Sequence, residues 1–425
     1  AVDPTWYDST YFDEIYHART AYQHLLGTEP YENTHPTLGK LIMSLGILLF
    51  GMNPFGWRFM GALFGVLMLP ILYHLIKRLF GKTWLAAGGT ILFALDFMHF
   101  TQTRIATIDT YAVFFLLLMY DAMLCFCQQD VRAAPMRKLL LPLFLCGAFT
   151  GLGIAAKWTA AYGAVGLAVL FFWRLWRAWR DCPPEERSGL GRRTAGLLLW
   201  CCLFFLVIPF GIYYAAFLPV LLLPGHDVSL VGWWGYQMHM YNYHSTLQAE
   251  HSFSSPWYQW PIMARPVWYH ITYDAGGVPG AVCTISSFGS PVLWWGSIPA
   301  LLWALWRGIV RRDRKAGFLL TGFLAAYLPW VLVPRLTFLY HYFTALPFAL
   351  LALLLVFDRL EESGRLTGAL RVGPVSIALP RCLWGGVLVI AAVLFGVFFP
   401  VISGAVTTAD YAHSLQWLPG WFFCG

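Results

Sequence analysis

The stretch YFDEIYHARTAYQHLLGTEPYENTHPTLGKL, Tyr11 to Leu41, decides how the rest of the chain is read. It sets two adjacent carboxylates, Asp13 and Glu14, in a polar segment just before a long series of apolar runs. Tyr11, Phe12, Ile15, Tyr16, Tyr22, Leu25 and Leu26 recur at helical spacing, which predicts an amphipathic helix lying on a membrane surface. Helix capping is the plain alternative for the acids. Thr10-x-x-Asp13 has the form of a capping box, and acidic groups suit a first helical turn. The run GKLIMSLGILLFG that follows (39–51) is apolar but too short to cross a bilayer, and reads as a second surface helix.

Beyond it the chain has the balance of a membrane protein. With 59% hydrophobic and only 12% charged residues, it does not resemble a soluble globular chain. Apolar runs at 56–77, 84–100, 107–127, 138–156, 158–174, 194–223, 291–308, 316–334, 338–357 and 382–402 predict about ten crossings, at about 20 residues each. The expected fold class is an all-α polytopic membrane protein. The expected segments are a surface region (1–55), a first set of transmembrane helices (56–223), a large aromatic-rich loop (224–290), a second helical set (291–402) and a tail (403–425).

The net charge of +7 invites a nucleic-acid reading, but its distribution argues for topology. If the acidic segment lies outside, only Arg19, Lys40, Arg58, Arg104, Lys157, Arg265 and Arg335 share its side. The other 21 of the 28 Lys and Arg then fall in alternate loops, as the positive-inside rule requires. The acidic pair is thus expected on the extracytoplasmic face of a multi-pass cell-membrane protein. The loop at 224–290, with GWWGYQMHMYNYH and SSPWYQWPIMARPVWYH, reads both as an interfacial aromatic belt and as a cover for an acceptor.

Ionisable groups at membrane depth are costly and mark function. Asp96, His99, Arg104 and Asp109 fall on two successive spans and their link, where an Arg104–Asp109 ion pair is one expectation. Lys157 at a helix end is explained equally well by snorkelling. The His residues show no metal-binding spacing, and neither a Walker loop nor a GxSxG elbow is present. Gly151-x-Gly153-x-x-Ala156 lies inside an apolar span, so close helix packing explains it better than a nucleotide. Gly61-x-x-x-Gly65 and Gly147-x-x-x-Gly151 read the same way. Cys283 and Cys424 are the cysteines expected outside, either bridged or as two thiols.

Several strings together resemble one family. They are FDE (12–14), HPTLGK (35–40), NPFGWRFMGALFG (53–65), LDFMHFTQTRIATIDTY (95–111), FGSPVLWW (288–295) and YHYFTALPF (340–348). In this order they are similar to the bacterial type of protein O-mannosyltransferase, in the GT-C superfamily of membrane glycosyltransferases. The family usually carries a helix before its acidic pair, so a chain opening at Ala1 reads as a fragment lacking that helix. The chain has no β-trefoil insert of the kind eukaryotic members carry.

The resemblance implies an inverting transfer of mannose from a polyprenyl-phosphate lipid to Ser/Thr hydroxyls of exported proteins. Membrane lipids and the secretion machinery would be further partners; nucleic acid, metal and cofactor would have no part. A base must take the hydroxyl proton and cations must meet the leaving phosphate. Asp13 and Glu14 are the catalytic candidates, with Asp13 favoured as base and Glu14 as acceptor holder, the reverse staying open. Arg58, Arg335 and His341 are the candidates for the donor phosphate. His35, Lys40, Arg104 and Asp109 complete the expected site. Two rivals remain: a lipid-linked sugar transferase acting on a glycolipid or envelope polymer, and a transporter without chemistry. The latter predicts inverted repeats that the sequence does not show.

Overall fold

The computed structural model describes residues 8–364, 366, 368–372 and 375–425. Arg365, one of the expected inner charges, lies outside them, as does the side chain of Arg371. The described chain is mainly helical. Two short helices come first, α1 (Glu14–Leu26) and α2 (Leu38–Phe50), followed by α3 (Pro54–Phe80). Asn53 caps α3, its side chain accepting from Gly56 N at 3.0 Å, and Pro54 occupies the first turn, where its missing N–H costs nothing.

The series continues with α4 (Thr83–Ala94), α5 (Phe97–Arg104), α6 (Asp109–Cys127), α7 (Met136–Ala156) and α8 (Ala160–Arg180). Next come α9 (Arg187–Cys202), a π turn at Leu203–Val207, α10 (Ile208–Leu221) and α11 (Leu230–Thr246). A hairpin of β1 (Val267–Tyr273) and β2 (Ala281–Ser287) leads to α12 (Pro291–Val310), α13 (Arg314–Tyr327) and α14 (Leu346–Ser363). A second hairpin, β3 (Ala369–Val372) with β4 (Val375–Ala378), precedes α15 (Leu379–Ser403), β5 (Thr407–Thr408) and α16 (Ala409–Ser414).

Helices stand at all ten expected positions. Among the described residues, six stretches suffice by length and composition to cross a bilayer: α3, α6, α7, Pro184–Leu221, Arg314–Leu332 and α15. The pair α4 and α5 would make a seventh, but it is bent by 59°. That bend corrects the straight span expected at 84–100. Its cause is Asp96, buried at the break. One oxygen of Asp96 accepts from Met98 N and His99 N, capping α5, and the other accepts from Ser290 N and the Trp294 indole. The kink is thereby tied to the start of α12. The span expected at 338–357 is also interrupted, opening as 3-10 turns at Leu339–Thr344.

The small-residue motifs pack as expected. A Cβ on Gly147 would meet the Phe204 carbonyl oxygen at 1.9 Å, and one on Gly65 would meet Thr103 at 2.5 Å. Only glycine lets α7 approach the π turn and α3 approach α5 this closely. The loop at 224–290 and the tail are not separate: β5 pairs with β2, so both contribute to one antiparallel sheet in the order β1-β2-β5. Cys283 and Cys424 are buried as thiols, donating to the carbonyls of Gly404 (2.9 Å) and Ala409 (3.5 Å), which decides between the two expectations for them.

Candidate active site

The α1 segment turns its polar side inward. Glu14, His17, Ala18, Thr20 and Ala21 are buried, while Ile15, Tyr16, Tyr22, Leu25 and Leu26 are exposed. The apolar stripe therefore faces away from the protein, as a surface helix in a bilayer needs. Asp13 holds the N-cap position, yet its side chain makes no capping bond. Capping therefore does not explain its carboxylate. The residue before it, Phe12, has φ 50°, a strained value for an aromatic residue. The Phe12 ring is fixed 4.4 Å from Tyr269 of β1.

The two adjacent acids have opposite fates. Glu14 is fully buried and accepts five hydrogen bonds. They come from Arg58 Nε (2.8 Å) and Nη2 (2.7 Å), Trp57 Nε1 (3.3 Å), Tyr11 N (3.3 Å) and Ala106 N (3.0 Å). It thus clamps α1 to α3 and to the α5–α6 link. The Asp13 carboxylate accepts no hydrogen bond among the described residues, although its backbone carbonyl takes Tyr16 N and His17 N as α1 begins. Burial pushes its carboxyl up to about 7, with Asp109 and Glu32 adding to the rise and Lys157 opposing it. A carboxyl that titrates near neutrality with its oxygens unengaged is suited to take a proton.

This arrangement corrects two expectations. Arg58 is turned onto Glu14 in a two-point pair, and it also donates to the Ser9 carbonyl at 2.9 Å. It braces the site instead of presenting an open phosphate fork. Glu14 is saturated by its donors and is no free acceptor holder. The expected ion pair of Arg104 with Asp109 is replaced as well. Asp109 pairs with Lys157 at 2.6 Å, so Lys157 is engaged rather than snorkelling. Arg104 instead lies over Phe100 and donates to the Ser403 carbonyl at 3.2 Å.

The HPTLGK segment folds around an anion that the sequence reading missed. Glu32 receives His35 Nδ1 at 2.9 Å and Thr34 N at 2.8 Å, and it pairs with Lys40. Lys40 is fully buried and also donates to the carbonyls of Glu32 and His35, both at 3.0 Å. It closes this turn and is not open to a ligand. Burial works against ionisation of Glu32, but Lys40 and His35 hold its carboxyl well below the usual range. His35 in turn is pushed down by burial against the pull of Glu32. The sequence signal for this anion was indirect: a lysine inside a buried turn requires one.

Helix α11 docks on the same turn through its histidines. His244 Nε2 meets the Thr34 carbonyl at 2.7 Å, and His239 Nε2 meets the Asn33 side chain at 3.1 Å. Just before α11, His226 meets Glu29 at 2.7 Å. These histidines join chain segments, and among the described residues no group of three His, Cys, Asp or Glu side chains could hold a metal. From the other side, Tyr340 sits under Lys157 (5.8 Å) and beside His341 (4.7 Å). His341 is buried, with Nδ1 engaged by the Phe338 backbone and its ring 4.3 Å from Trp330. Arg335 is partly buried near Tyr340, Tyr162 and Tyr243, and burial lowers its affinity for the proton. Among the described residues it has no ion-pair or hydrogen-bond partner.

Carboxyl, unpaired guanidinium and lysine–aspartate pair therefore gather at one end of the helical assembly. Comparison with known proteins decides the family. Residues 48–222 match the model described as Dolichyl-phosphate-mannose-protein mannosyltransferase, and residues 229–421 match that of the C-terminal four TMM region of protein-O-mannosyltransferase. The chain belongs to the protein O-mannosyltransferase family. A Polyprenol-phosphate-mannose--protein mannosyltransferase of Mycolicibacterium smegmatis is 28% identical, over 98% of this chain and 89% of its own length. One from Mycobacterium tuberculosis is 27% identical, over 96% and 86%. Among solved structures, the Saccharomyces cerevisiae Pmt1-Pmt2 complex bound to the sugar donor superposes with a TM-score of 0.79 at 14% identity, over 98% of this chain and 90% of that one. ArnT of Cupriavidus metallidurans bound to undecaprenyl phosphate follows with 0.56 at 16% identity, over 93% and 68%. These likenesses establish the GT-C fold of this O-mannosyltransferase family member.

Proposed function

We propose that this chain transfers mannose from a polyprenyl-phosphate donor to Ser or Thr hydroxyls of protein acceptors, in one inverting step on the extracytoplasmic face. The observation that carries the reading is the contrast between Asp13 and its neighbour. Glu14 is held by five donors, while the Asp13 carboxylate is unengaged and titrates near 7. Asp13 takes the proton of the acceptor hydroxyl as its oxygen attacks the anomeric carbon. The bond from that carbon to the phosphate oxygen breaks, and the lipid phosphate leaves with the electron pair. Arg335 meets the developing phosphate charge, with His341 beside it, and Lys157 with Asp109 sets the field around Asp13. The names of the bacterial relatives support the donor class, and those relatives span most of this chain. The sugar arrives already activated on the lipid phosphate, which is itself the leaving group, so the chemistry calls for no nucleotide.

The distribution of Lys and Arg supports placing this end outside, where exported acceptors pass. Helix α11, joined to the HPTLGK turn through His239 and His244, offers the exposed aromatic side chains Trp234, Tyr241 and Tyr243 as a surface for them. The test is incubation of the purified chain with labelled polyprenyl-phosphate-mannose and a Ser/Thr peptide. Labelled peptide, with the anomeric configuration inverted relative to the donor, is the expected product. Label appearing only in glycolipid would instead favour the sister class that modifies envelope lipids.

A further inference from the structure

The far end of α8 carries charges that the reaction does not use. Lys157 caps the end of α7 just before α8 begins and acts electrostatically on Asp13, and Arg177 lies near the far end of α8. At about 1.5 Å per helical residue the two are separated by roughly 30 Å. Around that far end two cavities adjoin, of 490 and 630 Å³, and both are lined by Trp173, Arg177 and Arg314. The first is closed by α6 and the start of α13, with Arg174 in its wall. The second runs along α8 over Val169, Leu170 and Trp176, of which Val169 and Trp176 are 52% and 55% exposed on the apolar exterior.

The acids in these walls are already engaged. Asp313 is held by Arg307 and Arg359, each at 2.9 Å, Asp181 by Arg180 at 2.8 Å, and Asp130 faces Arg132 at 3.9 Å. Arg174 donates to the carbonyls of Cys127 and Gln129. Arg177 lies 5.3 Å from the Trp173 ring, and among the described residues neither Arg177 nor Arg314 has an ion-pair or hydrogen-bond partner. Membrane topology asks only that basic residues lie on one side. It does not ask that two unpaired guanidiniums share a cavity wall at the head of an apolar groove. Such an arrangement complements a molecule with an anionic head and a hydrocarbon tail.

We propose that this groove binds one anionic phospholipid of the surrounding bilayer. Its phosphate sits between Arg177 and Arg314, where the planar guanidinium forks match phosphate oxygens. One acyl chain lies along α8 over Val169 and Trp176. The site is separate from the transfer site and does not depend on the transfer reading.

The test uses the whole purified chain in a neutral detergent, with phosphatidylglycerol as probe and native mass spectrometry as readout. Phosphatidylcholine and inorganic phosphate serve as comparators. The expected result is one phosphatidylglycerol retained in preference to phosphatidylcholine. The double variant Arg177→Gln/Arg314→Gln should bind it about thirty-fold more weakly, since each basic residue near an anionic lipid is worth about a factor of five. Val169→Trp fills the groove with both guanidiniums intact and should lower retention too, so misfolding of the double variant would leave the proposal testable. Undiminished retention in both variants would overturn it. So would displacement of the lipid by equimolar inorganic phosphate, which would mark a site for a soluble anion.

Discussion

Arg58 meets Glu14 at two points, Nε to Oε1 at 2.8 Å and Nη2 to Oε2 at 2.7 Å, while Asp13, the preceding residue, receives none of these donors. The division follows from helix geometry. Glu14 opens α1 on the face turned toward α3, whereas Asp13 stands outside the helix at its cap, where no donor among the described residues meets its carboxylate. One acid of the pair is committed to packing, and the other is left for the proposed chemistry.

The structural acid can be tested through its partner. Removing one member of a buried, hydrogen-bonded pair costs about 3–5 kcal/mol, because the other charge is left uncompensated. Arg58→Ala should therefore lower the melting temperature markedly. Arg58→Lys should recover part of the loss, since it keeps the charge and gives up the two-point fork. Thermal unfolding in detergent checks this. An Arg58→Ala variant as stable as the parent, but unable to bind donor, would return Arg58 to the phosphate role.

Asp13 should set the acidic limb of the pH–rate profile. A base must be ionised, so kcat/KM should rise with pH through a midpoint near 7, well above an ordinary carboxyl. Lys157 favours the ionised form and Asp109 disfavours it. Lys157→Met should accordingly move the midpoint to higher pH and Asp109→Asn to lower pH. Kinetics at varied pH read both shifts, and two shifts of the same sign would contradict the assignment.

Arg335 should behave differently from Arg58. Having no protein partner among the described residues, it is available to the donor phosphate. Arg335→Lys should keep part of donor binding but lose turnover, because a point charge replaces the fork. Arg335→Ala should lose both. Initial rates over a range of donor concentration separate the two effects, and unchanged kinetics in the Lys variant would remove Arg335 from the site.

The expected sidedness is also open to measurement. A membrane-impermeant thiol reagent applied to intact cells should label Tyr258→Cys, near the site, and should leave Arg312→Cys unlabelled. The reverse pattern would invert the topology and with it the proposed location of the acceptor.

Much of this architecture could be read from the sequence, since apolar runs and loop charges report directly on a bilayer. What escaped the reading depends on contacts distant in sequence. Glu32 is one of two acids in the connection between α1 and α2, and only the burial of Lys40 eight positions later makes it central. The break between α4 and α5 was signalled by Asp96 within an apolar run, but its partners Ser290 and Trp294 lie far along the chain. Likewise VWYHITY alternates as a strand should, yet its aromatic residues read first as an interfacial belt. Arg58 and Arg335 look alike in sequence, and only the fold shows that Glu14 occupies one of them.

The most direct measurement is mannosyl transfer by Asp13→Asn, made together with its thermal unfolding. In the folded chain this carboxyl holds its proton up to about 7, against a usual value of 3.8, so its ionisation weakens the fold as pH rises across that interval. Asparagine cannot ionise, and the variant should melt at or above the temperature of the parent at pH 8. Losing a general base should slow transfer by about 10²–10⁴-fold. An intact fold with transfer reduced on that scale is the predicted result. Near-parental turnover from a folded Asp13→Asn enzyme would contradict the account.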